Sequence, residues 1–444
     1  MNANRALRMI LVLLAASVWG CTRSVQEPGP PTDRQAGREM EPVDPDIPYD
    51  DFTLEIGDIR MVESTPGLYN SYNPRFTTDE RYLAYEVNEG NYKKILVYQV
   101  DVEPEGEGYR LSFSKLQEVS LGDSLKGELT DSLFEGLVEE SFNYEFSWFP
   151  ASSTFLFTSN AGKGEYNIFA GAVWEDDRIF SLLKKRLNPA ELGRYLMLTE
   201  AQRKDGQARV SPDGTRIVFA SARSGNGDLY LYDLTDGRLQ QVTMSEETDL
   251  FPRWSPDGRD VVFTSGGETS HDIRIVRNVG TDHQREEVLV HWFFDDVLPS
   301  FSPDGRYISF YTTYNKERDT FNTRRWGLMI IPSDGSAPPA GEELIAYFHL
   351  SDVIKDNSQG AAWFPDSRHI MFAKNIDSEY NPLYIYDIQD RTERFIDTGT
   401  DINHDITVSR HGLVSFRAQS MGWDRIFVAS STYFQEYLHE TFKP

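Results

Sequence analysis

The chain has 444 residues, with 70 acidic against 44 basic side chains and one cysteine. Its 27 Phe, 22 Tyr and 8 Trp, with 39% apolar residues overall, exclude a disordered polyanion and can fill a large core. A formal net charge of −26 argues against a nucleic-acid partner and favours basic or neutral ones, and the single cysteine excludes a disulfide framework or a multi-cysteine metal site.

Residues 1–20 have the pattern of an export signal. Arg5 and Arg8 give a positive start, and the apolar run over 9–16 is too short to span a bilayer as a mature helix. Val18-Trp19-Gly20-Cys21 resembles the bacterial lipoprotein processing box, in which a small residue precedes a lipid-modified cysteine. The resemblance implies that Cys21 is acylated and holds the mature chain on a membrane. The alternatives are an ordinary signal peptide with an incidental cysteine, and an uncleaved anchor.

Residues 21–52 form a Pro-rich segment. Its six prolines stand among Gly, Gln and acidic residues, at Pro28, Pro30, Pro31, Pro42, Pro45 and Pro48. Few apolar side chains are present to offset the entropy of ordering, so the composition predicts a tether between the lipid and the folded body.

The folded body, residues 53–430, repeats one pattern. An aromatic or β-branched residue is followed by a Ser-Pro-Asp-Gly-like turn and then by an alternating apolar strand. The sharpest copies start at Val210, Trp254 and Phe301, about 45 residues apart, and weaker ones start at Phe76, Trp148, Trp363 and Val408. Because every unit is strand–turn–strand, this period predicts a propeller rather than a helical solenoid.

The repeat predicts an all-β fold: a single propeller of four-stranded blades. Seven copies favour seven blades, or six if the Val408 copy does not form its own. Further strands are expected after each turn, as at Leu229–Asp233 and Leu383–Asp387. The last unit lacks a fourth strand, so the strand-like segment Leu54–Val62 is predicted to complete it and close the ring. Residues 431–444 are read as a C-terminal tail.

The Ser-Pro-Asp-Gly repeat resembles the propeller repeat of TolB-like periplasmic proteins. It is also similar to the repeats of prolyl oligopeptidase propellers and of oligogalacturonate lyases. The resemblance runs from about Leu54 to Ala429 and implies the fold, but the motif shapes blades and carries no chemistry.

A column of small polar or acidic side chains stands five residues before each copy of the motif. Its members are Ser71, Asn143, Asp205, Asp249, Asp296, Ser358 and Asn403. In a propeller this position lies where the chain enters the innermost strand, so the column predicts a polar ring at one mouth of the channel. The ring could bind a basic peptide segment, a sugar or a cation; alternatively, these residue types simply cap turns. Arg75, Arg209 and Arg253 stand one residue before their motifs and are expected to pair with the ring carboxylates or, alternatively, with an anionic ligand.

A second candidate surface is the long connection Thr312–Trp326. It is basic and aromatic within an acidic protein, and its proposed contact residues are Arg318, Phe321, Arg324, Arg325 and Trp326. Loops of this composition often anchor interfaces, and a solvated hairpin is the alternative.

Catalytic templates are not found in the sequence. It has no GxSxG nucleophile elbow, no HExxH and no phosphate-binding loop, so no catalytic residue, metal or cofactor is assigned. Among the eight histidines, His404 is the one beside a ring residue, Asn403.

The sequence therefore favours a binding module over an enzyme. The expectation is a lipid-anchored envelope propeller, on the outer membrane facing the periplasm, that docks a partner segment at the polar mouth. The TolB resemblance implies that the partner is an envelope protein or a peptidoglycan-associated lipoprotein. The alternatives are a channel-centred lyase or hydrolase acting on acidic saccharides, and a structural subunit of a membrane-protein complex.

Overall fold

The computed structural model describes most of the chain beyond residue 53. The described residues are 54–62, 70–89, 92–105, 108–121, 142–161, 165–192, 194–200, 203–267, 270–291, 294–313, 325–336, 344–349, 360–374, 380–400, 402–420 and 422–441. The chain divides into a unit of Met1–Pro48, which lies outside these residues, and a unit of Tyr49–Pro444 that holds every element below. The predicted lipidation residue Cys21 and the predicted tether therefore also lie outside them.

Seven antiparallel sheets form a β-propeller, as the repeat predicts. Blade 1 contains β2 (Asn70–Phe76), β3 (Tyr82–Glu89), β4 (Tyr92–Glu105) and β5 (Gly108–Val119), and blade 2 contains β6 (Asn143–Trp148), β7 (Thr154–Ser159), β8 (Asn167–Ala172), β9 (Ala190–Leu192) and β10 (Tyr195–Met197). Blade 3 contains β11 (Asp205–Val210), β12 (Arg216–Ser221), β13 (Asp228–Asp233) and β14 (Leu239–Gln241). Blade 4 contains β15 (Thr248–Trp254), β16 (Val261–Gly266), β17 (His271–Arg277) and β18 (Arg285–Val290).

The remaining three blades complete the ring. Blade 5 contains β19 (Asp296–Phe301), β20 (Tyr307–Thr312), β21 (Arg325–Pro332) and β22 (Leu344–His349). Blade 6 contains β23 (Ala362–Trp363), β24 (His369–Ala373), β25 (Leu383–Asp387) and β26 (Thr392–Ile396). Blade 7 contains β27 (Asn403–Val408), β28 (Leu413–Ser420), β29 (Trp423–Ser431) and β1 (Ile56–Met61). The degenerate Val408 copy thus forms its own blade, which favours seven over six.

The N-terminal strand closes the ring. β1 pairs antiparallel with β29, with Ile56 opposite Ser431 and Met61 opposite Phe427. This is the predicted role of the segment Leu54–Val62. Because β1 lies far from β29 in sequence, the two ends of the propeller are tied in one sheet, and β1 becomes the outermost strand of blade 7.

The Ser-Pro-Asp-Gly turn is held by its own side chains. In blade 3 the Ser211 hydroxyl donates to Asp213 at 2.6 Å and accepts from the Arg216 amide at 3.0 Å. Gly214 takes a φ of +72°, in the left-handed region that glycine adopts without a Cβ penalty. The turn therefore reverses the innermost strand directly into the second strand of the same blade.

The core lies between neighbouring blades. Phe149, Leu156 and Ile168 of blade 2, for example, form one buried cluster with Ile217 and Phe219 of blade 3. Each blade therefore buries a sheet face against the next, as stacking of single sheets requires.

The described residues contain two α-helices in addition to the strands. α1 (Arg178–Leu187) leads from β8 to β9 in blade 2, which has five strands rather than the expected four, and begins where Asp177 accepts the amides of Ile179 and Phe180. α2 (Thr432–Thr441) corrects the interpretation of residues 431–444 as a tail, because its Phe434 and Leu438 are buried against blades 1 and 7. Neither described helix is long and apolar enough to cross a membrane.

Candidate functional site

The innermost strands surround the axis, and their starts define one end of it, here called the entry mouth. First strands of neighbouring sheets pack against one another in five pairs: β27 with β2, β6 with β11, β11 with β15, β15 with β19, and β23 with β27. These strands therefore line the channel. The Ser-Pro-Asp-Gly turns lie at the opposite end of the same strands.

The polar column predicted to ring the mouth is buried instead. Six members lie in the described residues, all 0–1% exposed: Ser71, Asn143, Asp205, Asp249, Asp296 and Asn403. The seventh, Ser358, lies outside them. The side-chain amide of Asn143 donates to the Lys93 carbonyl in blade 1, and that of Asn403 to the Asn381 carbonyl in blade 6. The expectation of a solvent-facing polar ring is therefore wrong for these six, since members of the column fasten a strand start to the preceding blade.

The three aspartates of this column have different environments. Asp205 pairs with Arg223 at 2.7 Å and accepts the Ser221 hydroxyl at 2.5 Å. Burial raises the pKa of Asp249 to about 6, and burial raises the pKa of Asp296 well above its ordinary value. Asp205 is thus satisfied by a cation, whereas desolvation dominates at the other two.

Tyrosines and lysines occupy the entry mouth, and we call this set the mouth cluster: Tyr72, Lys93, Tyr144, Tyr166 and Lys204. The Lys93 ammonium lies 5.8 Å from the Tyr72 ring and 5.7 Å from the Tyr144 ring. The Lys204 ammonium lies 5.8 Å from the Tyr144 ring and 5.4 Å from the Tyr166 ring. Tyr144 and Tyr166 also meet edge to face, with centroids 5.6 Å apart. Lysine ammonium groups and tyrosine rings thus alternate across blades 1, 2 and 3, and these contacts connect the three blades in one surface.

The mouth cluster is partly accessible to solvent, and its two lysines are positively charged whereas the whole chain is acidic. Lys204 is exposed, and the other four side chains are half-buried. Burial raises the pKa of Tyr144 and of Tyr166, so both phenols stay neutral donors at neutral pH. Sequence analysis missed this cluster, although a tyrosine directly after the column residue in both Ser71-Tyr72 and Asn143-Tyr144 was a readable signal.

A β-bulge follows the mouth in six innermost strands. The bulged residues have φ between 49° and 58°: Asn73, Glu145, Gln207, Phe251, Leu298 and Asp405. Five of these amides, those of Asn73, Glu145, Gln207, Phe251 and Leu298, donate to a side chain of the preceding blade. Gln207 N, for example, donates to Glu145 at 2.6 Å, and Phe251 N donates to the Gln207 side chain at 2.7 Å. The bulges thus free a strand amide for a neighbour and link these blades around the channel.

Beneath the bulges lie the arginines that the sequence singled out. Arg75, Arg209 and Arg253 each stand at the first ladder position after the bulge, opposite Ala84, Val218 and Val262. Their expected pairing with the ring carboxylates fails at Asp205, which takes Arg223. Among the described residues, no carboxylate lies within ion-pair distance of Arg75 or Arg209.

The prediction of a contact surface on the connection Thr312–Trp326 is wrong for Trp326, the one proposed contact residue whose side chain is described. Trp326 is 0% exposed and belongs to the core cluster between blades 5 and 6, because it lies inside β21 rather than in a loop. Arg318, Phe321 and Arg324 lie outside the described residues, and Arg325 begins β21.

His404 is held inside the channel wall. Burial lowers its pKa to about 3, and the charge of Arg417 adds to the effect. Within the described residues, no three His, Cys, Asp or Glu side chains are grouped to hold a metal ion.

The seven blades around a central channel define the class of protein, a seven-bladed β-propeller. Its candidate site is the mouth cluster at one end of that channel. Its repeat is more specific, since residues 190–328 match the family model described as "PD40: TolB beta propeller domain". No curated protein matches the chain.

Solved structures share the fold. The oligogalacturonate lyase of Vibrio parahaemolyticus is 12% identical with a TM-score of 0.51, over 85% of this chain and 96% of that one. An oligogalacturonate lyase in complex with manganese gives the same values. TolB from Acinetobacter baumannii is 15% identical with a TM-score of 0.40, over 73% of this chain and 79% of that one. At these identities the lyase likeness concerns the fold alone.

Proposed function

We propose that the protein is an exported, lipid-anchored binding module of the bacterial envelope that docks an extended, acidic segment of a partner protein over its entry mouth. The mouth cluster carries this proposal, because it places three tyrosines and two lysines on one accessible surface of an otherwise acidic propeller. Tyrosines of this kind are common binding anchors, since they offer a rigid apolar ring with a hydroxyl donor.

The chemistry of the mouth favours carboxylates in the partner. Lys93 and Lys204 donate hydrogen bonds only, and neutral tyrosine hydroxyls also donate. The sequence-based expectation of a basic segment depended on a carboxylate ring, and the aspartates of that ring are buried. An acidic segment instead finds positive charge at the mouth, which would guide its approach and fix its register.

The membrane anchor and the envelope location depend on the leader sequence. Residues 1–20 and Cys21 have the lipoprotein pattern, and the tether 21–52 is long enough to hold a propeller away from the lipid. The family match over residues 190–328 supports a search for the partner among envelope proteins and peptidoglycan-associated lipoproteins.

Crosslinking with mouth variants tests the docking. The tagged mature chain and a Tyr72→Ala/Tyr144→Ala/Lys204→Ala variant are crosslinked in envelope fractions of the source cells, and the crosslinked peptides are identified by mass spectrometry. We expect the variant to lose at least tenfold of the main crosslinked partner, with the wild-type crosslinks mapping to an acidic segment.

A matched aromatic and lysine cluster elsewhere supplies the control. Lys374 lies 5.1 Å from the Tyr384 ring, which meets Phe395 edge to face on β25 and β26 of blade 6. Lys374→Ala/Phe395→Ala should leave recovery unchanged. Equal recovery by the mouth variant, with its melting temperature kept, would remove the entry mouth as the docking surface.

A further inference from the structure

Three arginines occupy equivalent positions around the channel. Arg75 in β2, Arg209 in β11 and Arg253 in β15 each follow the bulge of an innermost strand. Blades 2, 5, 6 and 7 carry the uncharged residues Ser147, Ser300, Ala362 and Thr407 at the same position, so three of the seven innermost strands place a cation there.

The three guanidinium groups act on one another through the channel. Arg75 and Arg253 belong to blades separated by blades 2 and 3, and yet their charges interact. All three arginines stand at the same ladder position of innermost strands, the strands nearest the channel. Burial first, and then this mutual repulsion, lowers the pKa of Arg253 to about 9 and that of Arg209 well below its ordinary value.

The neighbouring carboxylates are engaged elsewhere. Glu86, which is 2% exposed, accepts the Glu145 amide at 2.9 Å. Glu145 accepts the Gln207 amide at 2.6 Å and the Thr158 hydroxyl at 3.1 Å. Asp405 pairs with Arg417 at 3.1 Å. The charges of these acids reach the arginines, but their oxygens hold the blades together.

Arg209 is built to receive a ligand atom. It is 6% exposed, its Nη1 donates to the Ala208 carbonyl at 2.8 Å, and its Nε is buried without a hydrogen-bond partner. An interior donor left unsatisfied costs free energy, and a buried cation without a counterion costs more. The charges of Glu145 and Glu86 offset part of this cost, but the unsatisfied Nε donor remains for a bound anion to complete.

We infer that the channel beneath the bulges is a binding site for a small oxyanion, sulfate-like or a dicarboxylate, held by Arg75, Arg209 and Arg253. Guanidinium forks match carboxylate and tetrahedral oxyanions by paired hydrogen bonds. The slight exposure of Arg209 restricts the occupant to a small molecule rather than a docked protein segment. The site is therefore independent of partner docking at the mouth.

Titration of the mature chain tests this site. Sodium sulfate and sodium glutarate are titrated calorimetrically in buffer whose ionic strength is fixed with sodium chloride. We expect saturable 1:1 binding of at least one, and at least a tenfold higher Kd in Arg209→Gln and in Arg253→Gln. Binding of sulfate alone indicates an inorganic oxyanion, and tighter binding of glutarate indicates a dicarboxylate.

Arg238→Gln is the matched control, because Arg238 is exposed in the same blade as Arg209 and donates to Gln240. Its Kd should equal that of the wild type. The inference is overturned if neither anion binds saturably, or if the folded Arg209→Gln and Arg253→Gln variants bind as tightly as Arg238→Gln.

Discussion

Residues at equivalent positions of the repeat can lie in different electrostatic environments, and the buried aspartates Asp205 and Asp249 show why. Asp205 and Asp249 lie at the start of innermost strands, opposite Ser221 and Ser265. Two residues past that serine, blade 3 has Arg223, which pairs with Asp205, and blade 4 has Gly267. Asp249 therefore lacks the corresponding cation and is dominated by its burial. Sequence reasoning grouped the two as one ring because it sees the column and not the cation two residues beyond the opposite strand position.

Asp249→Asn is expected to stabilise the propeller at neutral pH. The folded pKa of about 6 exceeds the ordinary 3.8, so the proton is bound more tightly in the folded state, and the resulting stability is lost as pH rises from about 4 to about 6. Asparagine removes this loss, so above pH 6 the variant should exceed the wild type by up to about 3 kcal/mol, and the gap should close toward pH 4. Urea unfolding at several pH values measures both.

Asp205→Asn is the contrast to that variant. It leaves Arg223 without its carboxylate and should lower the free energy of unfolding by about 1–3 kcal/mol at neutral pH. If the free energy of unfolding varied with pH in the same way for the wild type and for Asp249→Asn, the raised folded-state pKa of Asp249 would be contradicted.

At the scale of elements, the sequence predicts strands well and their irregularities poorly. The predicted strand Leu383–Asp387 agrees with β25, because turn residues bound it on both sides. The bulges were missed, since residues as different as Phe251 and Asp405 adopt the same left-handed φ there. That conformation is imposed by the bond to the neighbouring blade, which no local pattern records. The mouth cluster was missed for a related reason: Lys93 and Tyr144 meet only when two blades stack.

Helix α2 lies in the segment that the sequence predicted as a C-terminal tail, and its contacts give it a structural role. Tyr437 stacks on His411 with centroids 3.8 Å apart, and His411 pairs with Glu80 of blade 1 at 2.7 Å. The Tyr433 hydroxyl donates to Asp366 of blade 6. The helix thus connects the blades on both sides of blade 7.

Phe434→Ala is therefore expected to destabilise the protein strongly. Phe434 is 1% exposed and shares a cluster with Val62 at the end of the closing strand and with Leu413 and Val428 of blade 7. The lost burial and the cavity should cost about 3–5 kcal/mol in the free energy of unfolding, measured by urea denaturation. Glu436→Ala, on the exposed side of the same helix, should change it by less than about 0.5 kcal/mol. Equal effects of the two variants would show that α2 does not secure the ring.

For the molecule as a whole, closure and charge have different origins in the sequence. Closure could be predicted because the last unit lacked a strand and a strand-like segment preceded the first unit, and β1 pairs with β29 accordingly. The charge of −26 did not predict the mouth, because a total says nothing of its distribution. Folding places Lys93 and Lys204 at one end of the axis and Arg75, Arg209 and Arg253 beneath them. These five cations lie along the axis beside Glu86, Glu145 and Asp405, and they are the common basis of the docking and oxyanion proposals.

The proposed lipid anchor concerns the whole chain, and Cys21→Ala tests it against an ordinary signal peptide and an uncleaved anchor. Expressed with its own leader in a bacterial host, the wild type should fractionate with membranes, require detergent for release and incorporate labelled fatty acid, since several acyl chains provide stable membrane binding. Cys21→Ala should incorporate no label, and its folded propeller should melt at the wild-type temperature, because residue 21 precedes the tether and the ring. An incidental cysteine after an ordinary signal peptide would leave both proteins unlabelled and soluble. An uncleaved anchor would leave both unlabelled, membrane-bound and still carrying residues 1–20, which intact mass measurement detects.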